Sequence, residues 1–529
     1  ITMAEASPGC ESLNSSFHEE AESDENNYLG VGNASVSGDA NEDVKKCFTT
    51  KESFQVCPES DTSHNPQGSD DEFKSAPANK VVNGNDFSDS DCDNKSSILS
   101  FEEPLCCEQL TGLSLSKIPE NDYTFRKKQI FVLSEAGKPV YCRHGNEDDL
   151  VTIFGVMQAL VAFVQHGDDA LHSIMAGNVK YVFYNKPPVI LVAVSNGWES
   201  EVQLRLHLVY VHNVIISMLT SSQMKKIFEK RRNYDLRRLI GDGGRLIDSL
   251  LDFMDRDPSI LLGAVRCLPV AATVRETIAQ AIIQSCNKIS DLIFAILIAE
   301  NKLISLIRMK KCFLHTVDLH LIMNLVNSSP SFKAVESWFP ICLPKFNSSG
   351  YLHGHVSYLS EDCQACLLLL SIDRDAFFTL SSAKQNIVEK LRRQNVLSAI
   401  NDALENSSYT PRDVEIPEIR HFLYKSSSNS QYTSPEIDVP YHTDEGRALL
   451  MGKYLTLHAR IHSNYSPLKT IYQTTNTDNI FGWVTPTFEL YAAFEPLVTK
   501  SDAINAINKL IEWIKKKETK LFILNDPTF

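Results

Sequence analysis

The sequence predicts a mixed α/β (α+β) protein of three consecutive units, each a mostly antiparallel sheet flanked by helices, behind a disordered N-terminal tail. Three observations carry this reading. From residue 125 onward, short apolar runs bounded by turn residues alternate with longer runs at helical spacing. The elements of the first unit return twice in changed order, without an exact sequence period. Charge also breaks near residue 125: residues 1–124 hold 25 Asp and Glu against 7 Lys and no Arg, a net of −18, whereas the remainder is +3.

With 529 residues, 43% hydrophobic and 22% charged, the chain has the composition of a soluble protein with room for about two to four domains. Boundaries are expected at 1–124 (acidic regulatory tail), 125–255, 256–395 and 396–529. The tail is rich in Ser, Asn, Asp, Glu and Gly and cannot bury enough surface to offset its ordering entropy. Its Ser88–Asp93 run suits an acid-directed kinase, so a solvated tail and an autoinhibitory one are both open. The thirteen cysteines have no regular spacing, and the polar start ITMAEASPGCES is unlike a secretory leader, so reduced thiols and a cytoplasmic location are expected. No run of 18 apolar residues is found; the longest candidate, Ile289–Ile298, is interrupted by Asp291, so membrane contact is expected to be peripheral.

The first unit opens with strands Gln129–Ser134 and Val140–Arg143 around a Gly137 turn. A helix over Glu147–Gln165 is expected next, N-capped by Asn146, with Glu147, Asp148 and Asp149 at the positive end of its dipole. Leu150, Phe154, Met157, Val161 and Val164 should line its buried face. Strands near 170–176, 179–184 and 189–195 follow, then helices over 199–219, 223–232 and 235–254. The second unit reads as a strand 259–269, a helix 271–290, strands 292–299 and 303–309, a helix 317–327, strands 351–359 and 365–372, and a helix 375–394. The third reads as a loop 425–440, strands 454–462, 469–474 and 488–494, a helix 501–517 and a last strand 521–524.

Enzyme signatures for phosphate loops, dinucleotide folds, nucleophile elbows and zinc proteases are missing. Gly241-Asp242-Gly243-Gly244 follows a basic helix, not a strand, and reads as a helix-breaking turn. His458 and His462, read as strand residues, would stand about 13 Å apart, too far for one metal. Cys363 and Cys366 would face opposite ways on a strand, and His353 and His355 lack a third ligand, so no metal is expected. Lys225, Lys226, Arg231 and Arg232 belong to basic clusters that are either solvated helix faces or a membrane-binding surface. Nucleic acid is disfavoured because aromatics do not interleave with the charges. Two prolines in Glu336–Phe346 exclude a helix and confine any strand to an edge, leaving Trp338 as a core anchor or an exposed hot spot.

The β-β-α-β-β-β-α-α order, the opening KKQIFVLSEAGKPVY and the segment SWFPICLPKFN resemble the Mon-one family of vacuolar and endosomal fusion proteins over roughly residues 125–529. The resemblance implies three longin domains and a heterodimer with a Ccz-one type partner. It implies a guanine nucleotide exchange factor for the late-endosomal Rab (Rab seven type), serving endosome conversion, vacuole or lysosome fusion and autophagosome fusion. Such a protein is not an enzyme of bond-making chemistry and needs no cofactor. Peripheral recruitment to endosomal, lysosomal or vacuolar membranes would involve phosphoinositides and an upstream early-endosomal Rab, with room for a third regulatory subunit. On that reading Asp148, Thr152, Gln158 and Asn196 are candidates for the Rab platform, and Trp338 for docking the upstream Rab. The alternative is a non-catalytic longin scaffold, or a Rab effector or adaptor.

Overall fold

The computed structural model describes residues 128–529 apart from 334, 407, 464 and 476. The acidic segment 1–124, expected to be disordered, lies outside the described residues.

In the first unit β1 (Lys128–Ser134) turns into β2 (Pro139–Cys142) through Gly137, whose φ is +74°. Helix α1 (Val151–His166) crosses to β3 (Ser173–Ala176), β4 (Val179–Lys186) and β5 (Val189–Ser195), giving the antiparallel order β2-β1-β5-β4-β3. Alternate residues of β1 and β5 face opposite ways. Phe131, Leu133, Ile190 and Val192 meet Phe154, Met157 and Val161 of α1. Ile130, Val132, Leu191 and Ala193 meet Leu204, Leu208 and Val211 of α2 (Glu201–Leu219). Burial on both faces is why these strands read as unbroken apolar runs. Helices α3 (Ser221–Lys230) and α4 (Gly244–Arg256) close the unit.

Three local expectations are corrected here. Asn146 is not the N-cap of α1: its side chain accepts the Asp148 N–H and its carbonyl the Asp149 N–H, closing a turn before the helix begins at Val151. The helix expected over 235–254 breaks at the glycine turn, where Gly241 takes φ +50° and Gly243 lies so close to Met218 that a β-carbon would meet its sulfur at 2.4 Å. Helix α2 is long and apolar enough to cross a membrane by length and composition, which the sequence reading missed, yet 61% of that window is buried inside the fold. It is a core helix.

The second unit holds β6 (Val265–Arg266), α5 (Ala272–Cys286), β7 (Leu292–Ala299), β8 (Lys302–Arg308), α6 (Thr316–Ser328), β9 (Ser337–Leu343), β10 (Ser348–Ser360), β11 (Cys363–Ser371), α7 (Phe377–Arg393) and α8 (Val396–Asn406). Its sheet order is β8-β7-β11-β10-β9. The proline-bearing β9 lies at the edge, as expected for residues that lack an N–H for a second neighbour. Cys363 and Cys366 are buried on opposite sides of β11. The strand expected over 259–269 is instead a helical turn at Ser259–Leu262, a left-handed Gly263, and only then β6. The third unit was expected to begin at residue 396, but residues 396–406 form helix α8, whose Val396 and Ile400 are buried in the second core.

The third unit comprises β12 (Ile419–Ser426), β13 (Gln431–Thr433), α9 (Asp444–Ile461), β14 (Thr470–Thr474), β15 (Asn479–Val484), β16 (Phe488–Phe494) and α10 (Lys500–Leu521). Residues 454–462, expected as a strand, lie in and just after α9: Thr443 caps it, and Leu450, Tyr454, Leu457 and Ile461 bury one helical face. The expected loop 425–440 contains β13, and of the expected last strand 521–524 Leu521 ends α10 while 522–524 are irregular.

The units exchange backbone. Strand β6 runs parallel to β13 and completes the sheet β14-β15-β16-β12-β13-β6. In return the C-terminus lies along β8: the Arg308 N–H donates to Pro527 O, and the Phe529 N–H donates to Arg308 O. Arg275 of α5 locks this exchange. Its guanidinium donates to the carbonyls of Thr519, Phe522, Leu268 and Lys520 at 2.6–3.1 Å, serving the orphan carbonyls at the end of α10. Substituting Arg275→Met should strip these carbonyls of their donor inside the protein and cost roughly 3 kcal/mol. The check is the urea midpoint of the full chain, which should fall; an unchanged midpoint would show that the cage contributes nothing.

Candidate functional site

Helix α1 reads VTIFGVMQALVAFVQH, sixteen residues without Asp, Glu, Lys or Arg. Phe154, Met157 and Val161 satisfy the core. Its outer side nevertheless remains apolar: Val151, Gly155, Ala159, Ala162 and Phe163 are exposed, Phe163 by 80%. An ordinary surface helix turns charge outward, and this one does not, which makes its outer side a candidate contact surface. The sheet ends at the edge strand β3, whose Ile174 packs on the α1 side while Met175, pointing to the other sheet face, is exposed by 62%.

The opposite edge of the same sheet is sealed. The Tyr141 hydroxyl donates to Asp248 of α4 at 2.5 Å, while Arg143 pairs with Asp252 and Asp255 at 3.1 and 2.7 Å. Lys128 reaches Asp255 at 2.5 Å. These two cations hold the Asp255 carboxyl down at about 2 against the opposing effect of burial. With β2 occupied by α4, the α1 face and β3 are the accessible side of the unit.

The residues singled out from sequence fall around this face without converging. Asp148 precedes α1 and is exposed, paired with Arg237 at 3.2 Å. Thr152 is exposed in the first turn of the helix. Gln158 is half-buried against the turn at Gly137, near the Ser134 end of β1. Asn196 is exposed just past β5, at the Lys128 end of β1. Gln158 and Asn196 thus stand at opposite ends of the sheet. The residues that sequence reasoning overlooked are Val151, Ala162, Phe163 and Met175. The signal available was the long uncharged stretch after Asp149.

Lys225, Lys226, Arg231 and Arg232 are all exposed, on α3 and the turn after it. Met224 and Phe228 bury the other side of α3, so the four cations share a solvent-facing ridge with Lys230, interrupted by Glu229. Trp338 sits between its two anticipated roles. It is half-buried on edge strand β9, its indole N–H donates to Arg374 O at 3.1 Å, and its ring stacks on His353 at 5.7 Å. Around it Val335 and Phe378 are exposed by 69% and 80%, making an aromatic and aliphatic rim. His355 is bound to Glu336 at 3.0 Å, which also holds Lys384.

Contrary to the expectation that its prolines exclude a helix, the segment after β9 is a short helical turn, Pro344–Asn347. Pro344 takes its first position, where no N–H is needed, and the turn is anchored by Asp318 of α6. Its carboxylate accepts the N–H groups of Lys345 and Phe346 at 3.1 and 2.8 Å. Burial nevertheless pushes this carboxyl up to about 7.

Comparison with known proteins follows the three sheets. Residues 128–250, 290–389 and 418–518 match the family models described as the first, second and third longin domains of FUZ, MON1 and HPS1. The chain is 47% identical to vacuolar fusion protein MON1 homolog A of Gallus gallus over 79% of this chain and 76% of that protein. It is also 47% identical to the Homo sapiens MON1 homolog A, over 77% of this chain and 62% of the relative. With the Homo sapiens MON1 homolog B the identity is 38%, over 78% of each.

Asp318 provides a test of the β9 anchor. A carboxyl raised in the folded state contributes stability that is complete below its unfolded value of 3.8 and is lost as pH rises through about 7. Unfolding profiles from pH 4 to 8 should show Asp318→Asn gaining on the unmodified protein as pH rises, with a slope of up to about 1.4 kcal/mol per pH unit. Parallel profiles would show that Asp318 is ionised throughout.

Proposed function

The chain belongs to the MON1 family of vacuolar fusion proteins, and from that membership we propose that it acts in vesicle and vacuole fusion as one subunit of a Rab exchange factor. The observation that carries this reading is the uncharged outer face of α1 beside the open edge of β3, a surface suited to another longin subunit rather than to a small substrate. A Ccz-one type partner covers part of this surface, and the late-endosomal Rab of the Rab seven type engages the composite. Asp148, Thr152 and Asn196 are polar exposed positions at its margin.

Exchange of this kind requires no bond-making residues. A Rab holding its nucleotide at nanomolar affinity is stabilised by about 12 kcal/mol. A protein surface that favours the nucleotide-free, rearranged Rab by several kcal/mol accelerates release by population shift. The absence of enzyme motifs from the sequence is compatible with this activity and equally with a non-catalytic scaffold, effector or adaptor.

Recruitment is assigned to two other surfaces. The Lys225, Lys226, Arg231 and Arg232 ridge faces anionic, phosphoinositide-bearing membranes, each cation near the surface contributing about 1 kcal/mol. The Trp338 rim, with Val335 and Phe378 as its exposed members, receives the upstream early-endosomal Rab.

The central test is release of labelled GDP from a panel of Rabs, by this chain alone and with its copurified partner. Release of one late-endosomal Rab only with the partner is expected, and Phe163→Glu should abolish copurification and reduce stimulated release at least about tenfold. Preferential binding to GTP-loaded Rab without release would instead establish the effector reading.

Membrane recruitment separates the remaining assignments. Changing Lys225, Lys226, Arg231 and Arg232 to Glu should lower sedimentation with phosphoinositide liposomes at low salt, more than at high salt. Phe378→Ala and Trp338→Ala should spare that binding but lower recruitment by liposome-anchored, GTP-loaded upstream Rab. If the quadruple variant sediments normally, the ridge is only a solvated helix face.

A further inference from the structure

Treating residues 454–462 as a strand placed His458 and His462 too far apart to share a metal, and that premise fails. Both belong to the C-terminal turn of α9, His458 within it and His462 capping it. Residues four apart on a helix lie about 5–6 Å apart at their β-carbons, and these two imidazoles lie tilted by 41° with centroids 4.3 Å apart. Across from them, β16 presents Glu489. His462 Nε2 lies 3.3 Å from Glu489 Oε2, and one donor atom from each of the three residues lies within 4.8 Å of the others.

We propose that His458, His462 and Glu489 form a divalent transition-metal site of the zinc class. Two imidazoles and one carboxylate are a donor set that zinc takes at about 2.0–2.2 Å, which requires donor atoms to be roughly 3.3–3.5 Å apart. The His462–Glu489 pair already has that separation, and the His458 donor atom, within 4.8 Å of both, has the remaining distance to close on binding. The HxxxH spacing on one helical face is the spacing that zinc-binding helices use.

The surroundings specify the site further. The Tyr491 hydroxyl donates to Glu489 Oε2 at 3.1 Å and stands 3.2 Å from His462 Nε2, next to the fourth coordination position. The His458 ring lies against His462 and Tyr491 and has no hydrogen bond among the described residues. His462 is exposed, giving an ion a path from solvent, while Glu489 is buried. Lys425 pairs with Glu489 Oε1 at 2.8 Å, so only Oε2 is offered to the metal. That ammonium opposes the ion's charge and sets the affinity below that of a site without it. Occupancy would clamp the end of α9 onto β16 within the third sheet, away from the α1 face and the basic ridge.

The test uses the full chain, zinc and a chromophoric chelator in competition, with cobalt as a spectroscopic substitute. One equivalent of zinc is expected to bind, with affinity reduced at least tenfold in His462→Ala, whose side chain is at the surface. Affinity should be unchanged in His442→Ala, an exposed histidine elsewhere in the unit. His458→Gln should give the same loss as His462→Ala, with folding verified by circular dichroism. Cobalt should show the visible bands of tetrahedral nitrogen and oxygen ligation. No binding, equal affinity in His462→Ala, or a thiolate charge-transfer band that places the ion on cysteines would each overturn the assignment.

Discussion

Helix α6 is the element on which the joints of this protein depend. It is buried nearly all round, and its two sides serve two cores: Val317 and Leu321 belong to the first, Leu319, Ile322 and Met323 to the second. Its three buried polar side chains each reach a different partner. Asp318 holds the turn after β9, His320 meets Tyr210 of α2 at 2.9 Å and Ala264 O at 3.0 Å, and Asn324 donates to Leu246 O at 2.8 Å. Burial lowers His320 to about 4, so it works as a neutral hydrogen-bonding group rather than as a cation. Polar groups removed from water must find partners, so these contacts select one docking of the first and second units among the many that apolar surface alone would tolerate.

The second joint uses backbone in place of side chains. Two residues of β6 extend the third sheet, and the last residues of the chain lie on β8 of the second. Arg275 binds four carbonyls near the crossing point. Such reciprocal exchange ties the folding of each unit to that of its neighbour.

Against this background of mutual coverage, the first unit stands out for what it leaves bare. Its β2 edge is closed by charges and α4, and its inner sheet face by α2, yet the outer side of α1 and the β3 edge have no cover from the rest of the described chain. Val151 and Phe163 of that helix and Met175 of the edge strand are left exposed. The proposed function works through surfaces: it assigns one face to subunit assembly, the cationic ridge to membranes and the aromatic rim on the edge of the second sheet to recruitment.

The sequence by itself determined the elements whose cause is local. The β-β-α-β-β-β-α-α order, the edge position of the proline-bearing β9, the glycine turn at 241–244 and the opposed burial of Cys363 and Cys366 all follow from periodicity and turn chemistry. They could be read before any coordinates. The three-unit plan was legible on the same basis, and the resemblance to the MON1 family was legible in the segments KKQIFVLSEAGKPVY and SWFPICLPKFN. What failed were the places where the cause lies far along the chain. Residues 454–462 alternate like a strand, but Leu450, Tyr454, Leu457 and Ile461 find a core only as one helical face, so the alternation lost to packing. Residues 259–269 are divided because β13, more than 160 residues later, recruits only Val265 and Arg266. Asn146 capped its own turn instead of the helix. The candidate surface was half visible: composition showed that α1 lacks charge, but only the fold decided which of its apolar residues face the core and which are left outside. The histidine pair was judged wrongly for the same physical reason, since spacing has no chemical meaning until tertiary packing has chosen between a helix and a strand.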